Sequence, residues 1–183
     1  MRPPRAALLA ATLLCIRPPP CAADPAGYDI LTLRLAMPAF EVIQRLAAQG
    51  ITGSAIQLLP ADCTAARADT CAQTLRAHTR DGRLVIRFTR APNGPERALV
   101  YRIAYTITGR GPADAETLRA DAIDRYGRPT SVATTTWCPT LDIATGLCPP
   151  GQPRLHIEPA PGAAGCLTLT DEALVTPASP PAP

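Results

Sequence analysis

From Gln73 to Thr108 polar and apolar residues alternate with the period of an extended strand, and nothing else in the chain restricts its fold as much. The clearest run is Arg97 to Thr108. There Leu99, Tyr101, Ile103, Tyr105 and Ile107 share one face, and Val100, Arg102, Ala104 and Thr106 share the other. Gln73 to Arg80 and Arg83 to Arg90 read as two further strands around Asp81-Gly82, a dipeptide suited to a type I′ hairpin turn. Ala91-Pro92-Asn93-Gly94-Pro95 turns the chain into the third strand. A meander of this kind has one apolar face, and a second layer must cover it.

Two helices are available for that layer. Tyr28 to Leu35 reads as a short strand, and Pro38 then opens a helix at the first helical position, where its missing N–H costs nothing. Phe40, Val42, Ile43, Leu46 and Ala47 form its apolar stripe, and Gly50 sits where a C-terminal cap belongs. A loop carrying Cys63 and Cys71 follows. The second helix spans about Asp114 to Tyr126, with Ala115, Leu118, Ala122, Ile123 and Tyr126 inward and Gly127 and Pro129 as the stop. Thr130 to Cys138, Arg154 to Glu158 and Cys166 to Thr170 are strand candidates, with Pro159 to Gly165 as a loop. The expected fold is α+β: two tandem helix-plus-three-stranded-meander repeats, about 28–108 and 113–170, forming one two-layer domain within 24–176. Residues 177–183 are Pro-rich, have nothing to bury and are expected to be disordered.

The N-terminus sets the expected compartment. Arg2 and Arg5 precede an apolar stretch from Ala6 to Ile16, and Cys21-Ala22-Ala23 offers small residues to a signal peptidase. A signal peptide over 1–23, cleaved after Ala23, predicts a periplasmic or secreted protein. The apolar stretch is shorter than the roughly 20 residues a membrane span needs. Cys15 follows Leu14 and Cys21 follows Pro20, where lipoprotein processing calls for a small residue. Loss of Arg2, Arg5 and Arg17 takes the formal charge from +3 to 0, with 15 residues of each sign. Cys63, Cys71, Cys138, Cys148 and Cys166 remain. In an oxidising compartment the close pairs Cys63/Cys71 and Cys138/Cys148 are expected disulfides, with Cys166 unpaired or competing for Cys138 or Cys148.

Catalytic chemistry finds no pattern to carry it. Ser54, Ser131 and Ser179 lack a nucleophile-elbow context, and His78 and His156 have no motif partner. There is no C-x-x-C zinc spacing, so no metal or cofactor is expected. Carboxylates are scattered (Glu41, Glu116, Asp171, Glu172), which neither supports nor removes a distant pair. Trp137 beside Cys138 reads as core rather than as an interface anchor.

Charge is distributed unevenly. Between Gln73 and Arg110 lie eight arginines (76, 80, 83, 87, 90, 97, 102, 110) against Asp81 and Glu96, a surplus of +6. Alternation places Arg76, His78 and Arg80 on one face of the first strand, Arg83 and Arg87 on one face of the second, and Arg102 on the third. Leu75, Leu84, Ile86, Phe88, Tyr101, Ile103 and Tyr105 point the other way. The expected binding surface is this plate, offering bidentate contacts to an anionic envelope component or an acidic protein patch. The bland counterpart is a solvated face whose arginines pair with Asp114, Glu116, Asp121 and Asp124 of the second helix. Nucleic acid is not expected, since no aromatic side chains accompany the arginines for stacking.

Tyr28-Asp29-Ile30-Leu31 and Leu33-Arg34-Leu35-Ala36-Met37-Pro38 resemble the opening of small exported proteobacterial proteins, which often carry Gly-Met-Ser at Ala36-Met37-Pro38. Phe88-Thr89-Arg90-Ala91-Pro92, Ile103-Ala104-Tyr105 and Arg125-Tyr126-Gly127-Arg128-Pro129-Thr130 resemble the same group. The helix-plus-meander pattern over residues 28 to 170 is similar to outer-membrane assembly lipoproteins of the SmpA/OmlA type and to β-lactamase inhibitory proteins. The resemblance implies non-catalytic binding. The function expected is therefore an exported envelope binding protein, and the alternative is an exported hydrolase with an unrecognised active site.

Overall fold

The computed structural model describes residues 24–59, 73–89, 98–109 and 112–175. The segment 1–23, the tail 177–183, Cys63, Cys71, Arg90, Arg97 and Arg110 lie outside them. The described chain runs through a small hairpin, β1 (Asp29–Ile30) and β2 (Leu33–Arg34), helix α1 (Ala39–Ala48), and strands β3 (Ile56–Leu59), β4 (Thr74–His78), β5 (Gly82–Phe88) and β6 (Val100–Thr108). Helix α2 (Pro112–Tyr126) follows, then β7 (Thr136–Trp137), β8 (Arg154–Glu158) and β9 (Ala163–Thr170). Strands β3 to β9 make one antiparallel sheet in the order β3-β4-β5-β6-β9-β8-β7. The protein is α+β, with two helices on one face of a large antiparallel sheet.

The two halves meet where β6 pairs β9, so the last strand of one half is bonded to the last strand of the other. The first half supplies four strands rather than three. The sequence marks no strand at Ile56–Leu59, because four residues with one polar member carry too little alternation. Of the expected Thr130 to Cys138 strand only Thr136–Trp137 pairs with β8. Ser131 to Thr135 forms a tight turn instead, closed by the Ser131↔Thr136 bridge, with Thr135 at φ 47°. Strand β9 starts at Ala163, three residues early, because the turn before it needs only the residues up to Gly162.

Val42, Leu46, Leu75, Leu84, Ile86, Phe88, Ile103, Leu155, Leu169 and Trp137 form the centre of a single core, which α2 joins through Ala122 and Tyr126. Each fully buried aliphatic side chain contributes about 1.5 to 3 kcal/mol. Only Val42 and Leu46 of the expected α1 stripe face this core. Phe40, Ile43 and Ala47 lie on an exposed flank of the helix, and Phe40 and Ile43 border an open apolar groove with Leu58 of the edge strand β3. Ala115 of α2 is likewise exposed in the helix's first turn. Pro38 caps α1 from outside the helix, held by a bridge to Leu99, so the first helical residue is Ala39.

Of three backbone details, one bears out the sequence reading and two correct it. Helix α1 ends as expected: Gly50 at φ 77° lets its N–H reach the Ala47 carbonyl (2.9 Å) and the Ile51 N–H reach Leu46 (3.0 Å). The β4–β5 turn, however, is centred on Arg80-Asp81, where Thr79 N–H donates to the Gly82 carbonyl (2.9 Å) and neither central residue has positive φ. Gly82 belongs to β5 and answers a different need, since a Cβ there would stand 2.2 Å from the Thr106 carbonyl oxygen. Third, β6 carries a bulge: Arg87 faces Arg102 but Phe88 faces Val100, leaving Tyr101 as the extra residue. The bulge reverses the alternation, so Val100 is buried in the core and Tyr101 only half-buried.

Candidate binding surface

The register of β4, β5 and β6 fixes which side chains share the outer face. Arg76 stands opposite Val85, His78 opposite Arg83, Arg83 opposite Thr106, and Arg87 opposite Arg102. In an antiparallel sheet directly opposed residues point to the same side. Arg76, His78, Arg83, Arg87 and Arg102 therefore occupy one face, while Leu75, Ala77, Leu84, Ile86 and Ile103 fill the core from the other. Arg76, His78, Arg83 and Arg87 are exposed, and Arg102 is half-buried. Arg80 is exposed too, but it sits in the turn at the rim of the face rather than on the strand.

Among the described residues none of these five arginines (76, 80, 83, 87, 102) forms an ion pair or a side-chain hydrogen bond; the ion pairs present involve Arg45, Arg125, Arg154 and His156. The acidic residues of α2 are not their partners, because α2 packs on the opposite face through Leu118, Ala122 and Tyr126. The pairing Arg87↔Arg102 sets two permanent cations directly across from one another, a destabilising arrangement.

Beyond Arg102 the same face changes character. Thr168 and Thr170 of β9 and Thr136 of β7 are buried, although they belong to the polar side of the sheet. A cleft of about 410 Å³ opens over this region, walled by Arg102, Thr136, Leu147, Arg154, His156 and Glu158. Arg154 holds Glu172 (Nη2 to Oε1, 2.6 Å), and His156 Nε2 lies 2.8 Å from Glu158 Oε1. His156 Nδ1 is buried with no hydrogen-bond partner. Leu147 and Cys148 come from a loop closed by the Cys138–Cys148 disulfide. Inside that loop Asp142 Oδ1 accepts from the N–H groups of Ala144 (2.8 Å) and Thr145 (3.2 Å), which fixes its path. Sequence reasoning did not assemble Arg154, His156 and Glu158 with Arg102, because their proximity depends on the β6–β9–β8 pairing and not on any spacing along the chain.

Cys166 is a free thiol on the same face, 3.7 Å from Thr106 Oγ1 and 3.6 Å from Thr168 Oγ1. Trp137 is wholly buried, donates from Nε1 to the Gly127 carbonyl (2.8 Å) and meets Tyr126 edge to face. Among the described residues no three His, Cys, Asp or Glu side chains converge as metal ligands, and no helix is long and apolar enough to cross a membrane. A larger depression of about 480 Å³ between α2 and the β8–β9 turn is walled mainly by Ala, Gly and Pro. The chain has no significant match among protein-family models, curated proteins or solved structures.

Proposed function

We propose that this is an exported, non-catalytic binding protein of the bacterial envelope that takes an anionic envelope component onto the outer face of β4–β6. One observation carries the reading: Arg87 and Arg102 are directly opposed, and neither they nor Arg76 and Arg83 are neutralised by a described carboxylate. A like-charged cross-strand pair works against folding, and an anionic partner relieves that cost on binding. Export is supported by the leader-like residues 1–23, and an oxidising destination by the Cys138–Cys148 disulfide. We also read the α1–β4–β5–β6 and α2–β7–β8–β9 portions as two helix-plus-meander units joined along β6–β9, as in the families the sequence resembles. The hydrolase alternative has no support from geometry. Glu116 and Glu158 wall the same depression, but both are exposed and Glu158 is engaged with His156.

The test is capture of envelope components by the immobilised protein, wild type beside the R83E/R87E variant. Both positions are exposed, so the fold should survive. Wild type should retain an anionic component that the variant does not. Equal retention by both would remove the face as a binding surface.

A further inference from the structure

We infer that the cleft over β8 and β9 is a binding subsite for a phosphate group, anchored by Arg102 and Arg154. The inference rests on the anionic-partner reading and deepens it, since it names the group recognised and where it sits.

Arg102 and Arg154 are both paired with Thr170, from the two strands that flank β9. Their Cα atoms are thus two strand spacings apart, about 10 Å, on the same face. Guanidinium groups on long stems converge readily over that span. The Arg102 side chain has no ion pair or hydrogen bond among the described residues. Arg154 engages Glu172 through one terminal nitrogen, and a guanidinium carries five N–H donors. Glu158, the carboxylate inside the cleft, already has the His156 ring as its partner.

The floor is polar and incompletely satisfied. His156 Nδ1 is buried without a partner. Across the strand from it, the wholly buried Thr168 has the Cys166 thiol as its hydrogen-bond partner at 3.6 Å. A buried polar atom without a partner, in a cleft that also holds an unpaired guanidinium, favours a polar occupant. The far wall is held by the disulfide loop through Leu147 and Cys148, so the cleft is formed before any ligand arrives. Phosphate suits this arrangement better than carboxylate. Two guanidinium groups approaching from different strands need oxygens spread in three dimensions, whereas the two in-plane oxygens of a carboxylate match a single guanidinium.

The protein, purified as its host processes it, is titrated with inorganic phosphate while the Arg side-chain Nε–H signals are followed by NMR. Arg102 and Arg154 should shift saturably. Arg102→Met and Arg154→Met should each weaken phosphate binding by about tenfold, and Arg34→Met, exposed on β2 away from both surfaces, should leave it unchanged. Arg102→Met tests the site without touching the Arg154–Glu172 pair, so a folding defect in the other variant does not decide the outcome. Vesicles of phosphatidylglycerol form a second arm. Binding that free phosphate displaces identifies a lipid headgroup as the source, and phosphate binding without vesicle binding identifies a free phosphate compound. Either result supports the subsite. Absence of saturation at Arg102 and Arg154, or undiminished phosphate binding by Arg102→Met, overturns it. If R83E/R87E loses its envelope partner while phosphate never saturates, the plate stands and the subsite falls. The reverse pattern keeps the subsite and removes the plate.

Discussion

Arg87 and Arg102 confront each other across β5 and β6 with no described carboxylate paired to either, and that choice weakens the fold. Arg87→Glu turns a repulsive cross-strand pair into an attractive one. The variant should unfold at higher urea, by about 0.2 to 1 kcal/mol, while losing the anionic partner. A stabilised but non-binding protein cannot be explained by misfolding. A second residue has a purely steric role: Ala at position 82 would drive a Cβ to within 2.2 Å of the Thr106 carbonyl. Gly82→Ala should cost about 1 to 3 kcal/mol in urea denaturation. Ala36 presents the opposite case, an exposed residue at φ 58° whose backbone N–H donates to Val100. Ala36→Gly should stabilise the protein by about 1 kcal/mol, because only glycine adopts that conformation freely. Tyr28 contributes a pH dependence. Burial, then the charges of Asp24 and Tyr126, pushes its phenol from the usual 10.0 up to about 12. Burial also raises Tyr126. The folded protein keeps phenol protons that the unfolded chain releases, so this stability is complete below about pH 10 and is lost as the pH rises toward 12. Urea midpoints at about pH 9 and about pH 11 should show the fall in wild type and a smaller fall in Tyr28→Phe.

At the level of elements, the sequence showed its own structure wherever the signal was local. The alternation of β4 and β5, the Gly50 cap and the Gly127 stop lie within a few residues of what they control. The tight turns misled for the same reason. Asp81-Gly82 carries the right letters for a primed turn, but the primed geometry occurs at Leu31-Thr32, both with positive φ and neither a glycine. Distant side chains hold that turn: Arg45 Nη1 donates to the Thr32 carbonyl (2.9 Å) and Gln49 Nε2 to the Leu31 carbonyl (2.7 Å). Such support is invisible to a reading of the turn alone. The β6 bulge is hidden similarly, since it appears only as a mismatch with β5. The disulfide was legible from the short Cys138–Cys148 separation, and it clasps the loop that walls the cleft. Replacing both cysteines by serine should cost about 2 to 4 kcal/mol, measured as a lower thermal midpoint.

For the whole molecule, the sheet separates two environments. One face buries the core under α1 and α2, and the acidic residues of α2 stay on that side. The other carries Arg76, Arg83, Arg87 and Arg102, none of them paired with a described carboxylate. The plate could be seen in the sequence because strand alternation alone assigns a side to each arginine. The cleft could not, because it needs β8 and β9 brought beside β6 by a pairing between the ends of the two halves. This separation of charge is the basis of the proposed activity, and it makes association sensitive to salt. Exposed charges are screened beyond about 10 Å at 0.1 M ionic strength. The most direct measurement is the salt dependence of partner capture by wild type and R83E/R87E. Wild-type capture should fall steeply as salt rises, and the variant should capture little at any salt concentration. Capture that is independent of salt, or equal in the two proteins, would contradict a charge-driven binding face.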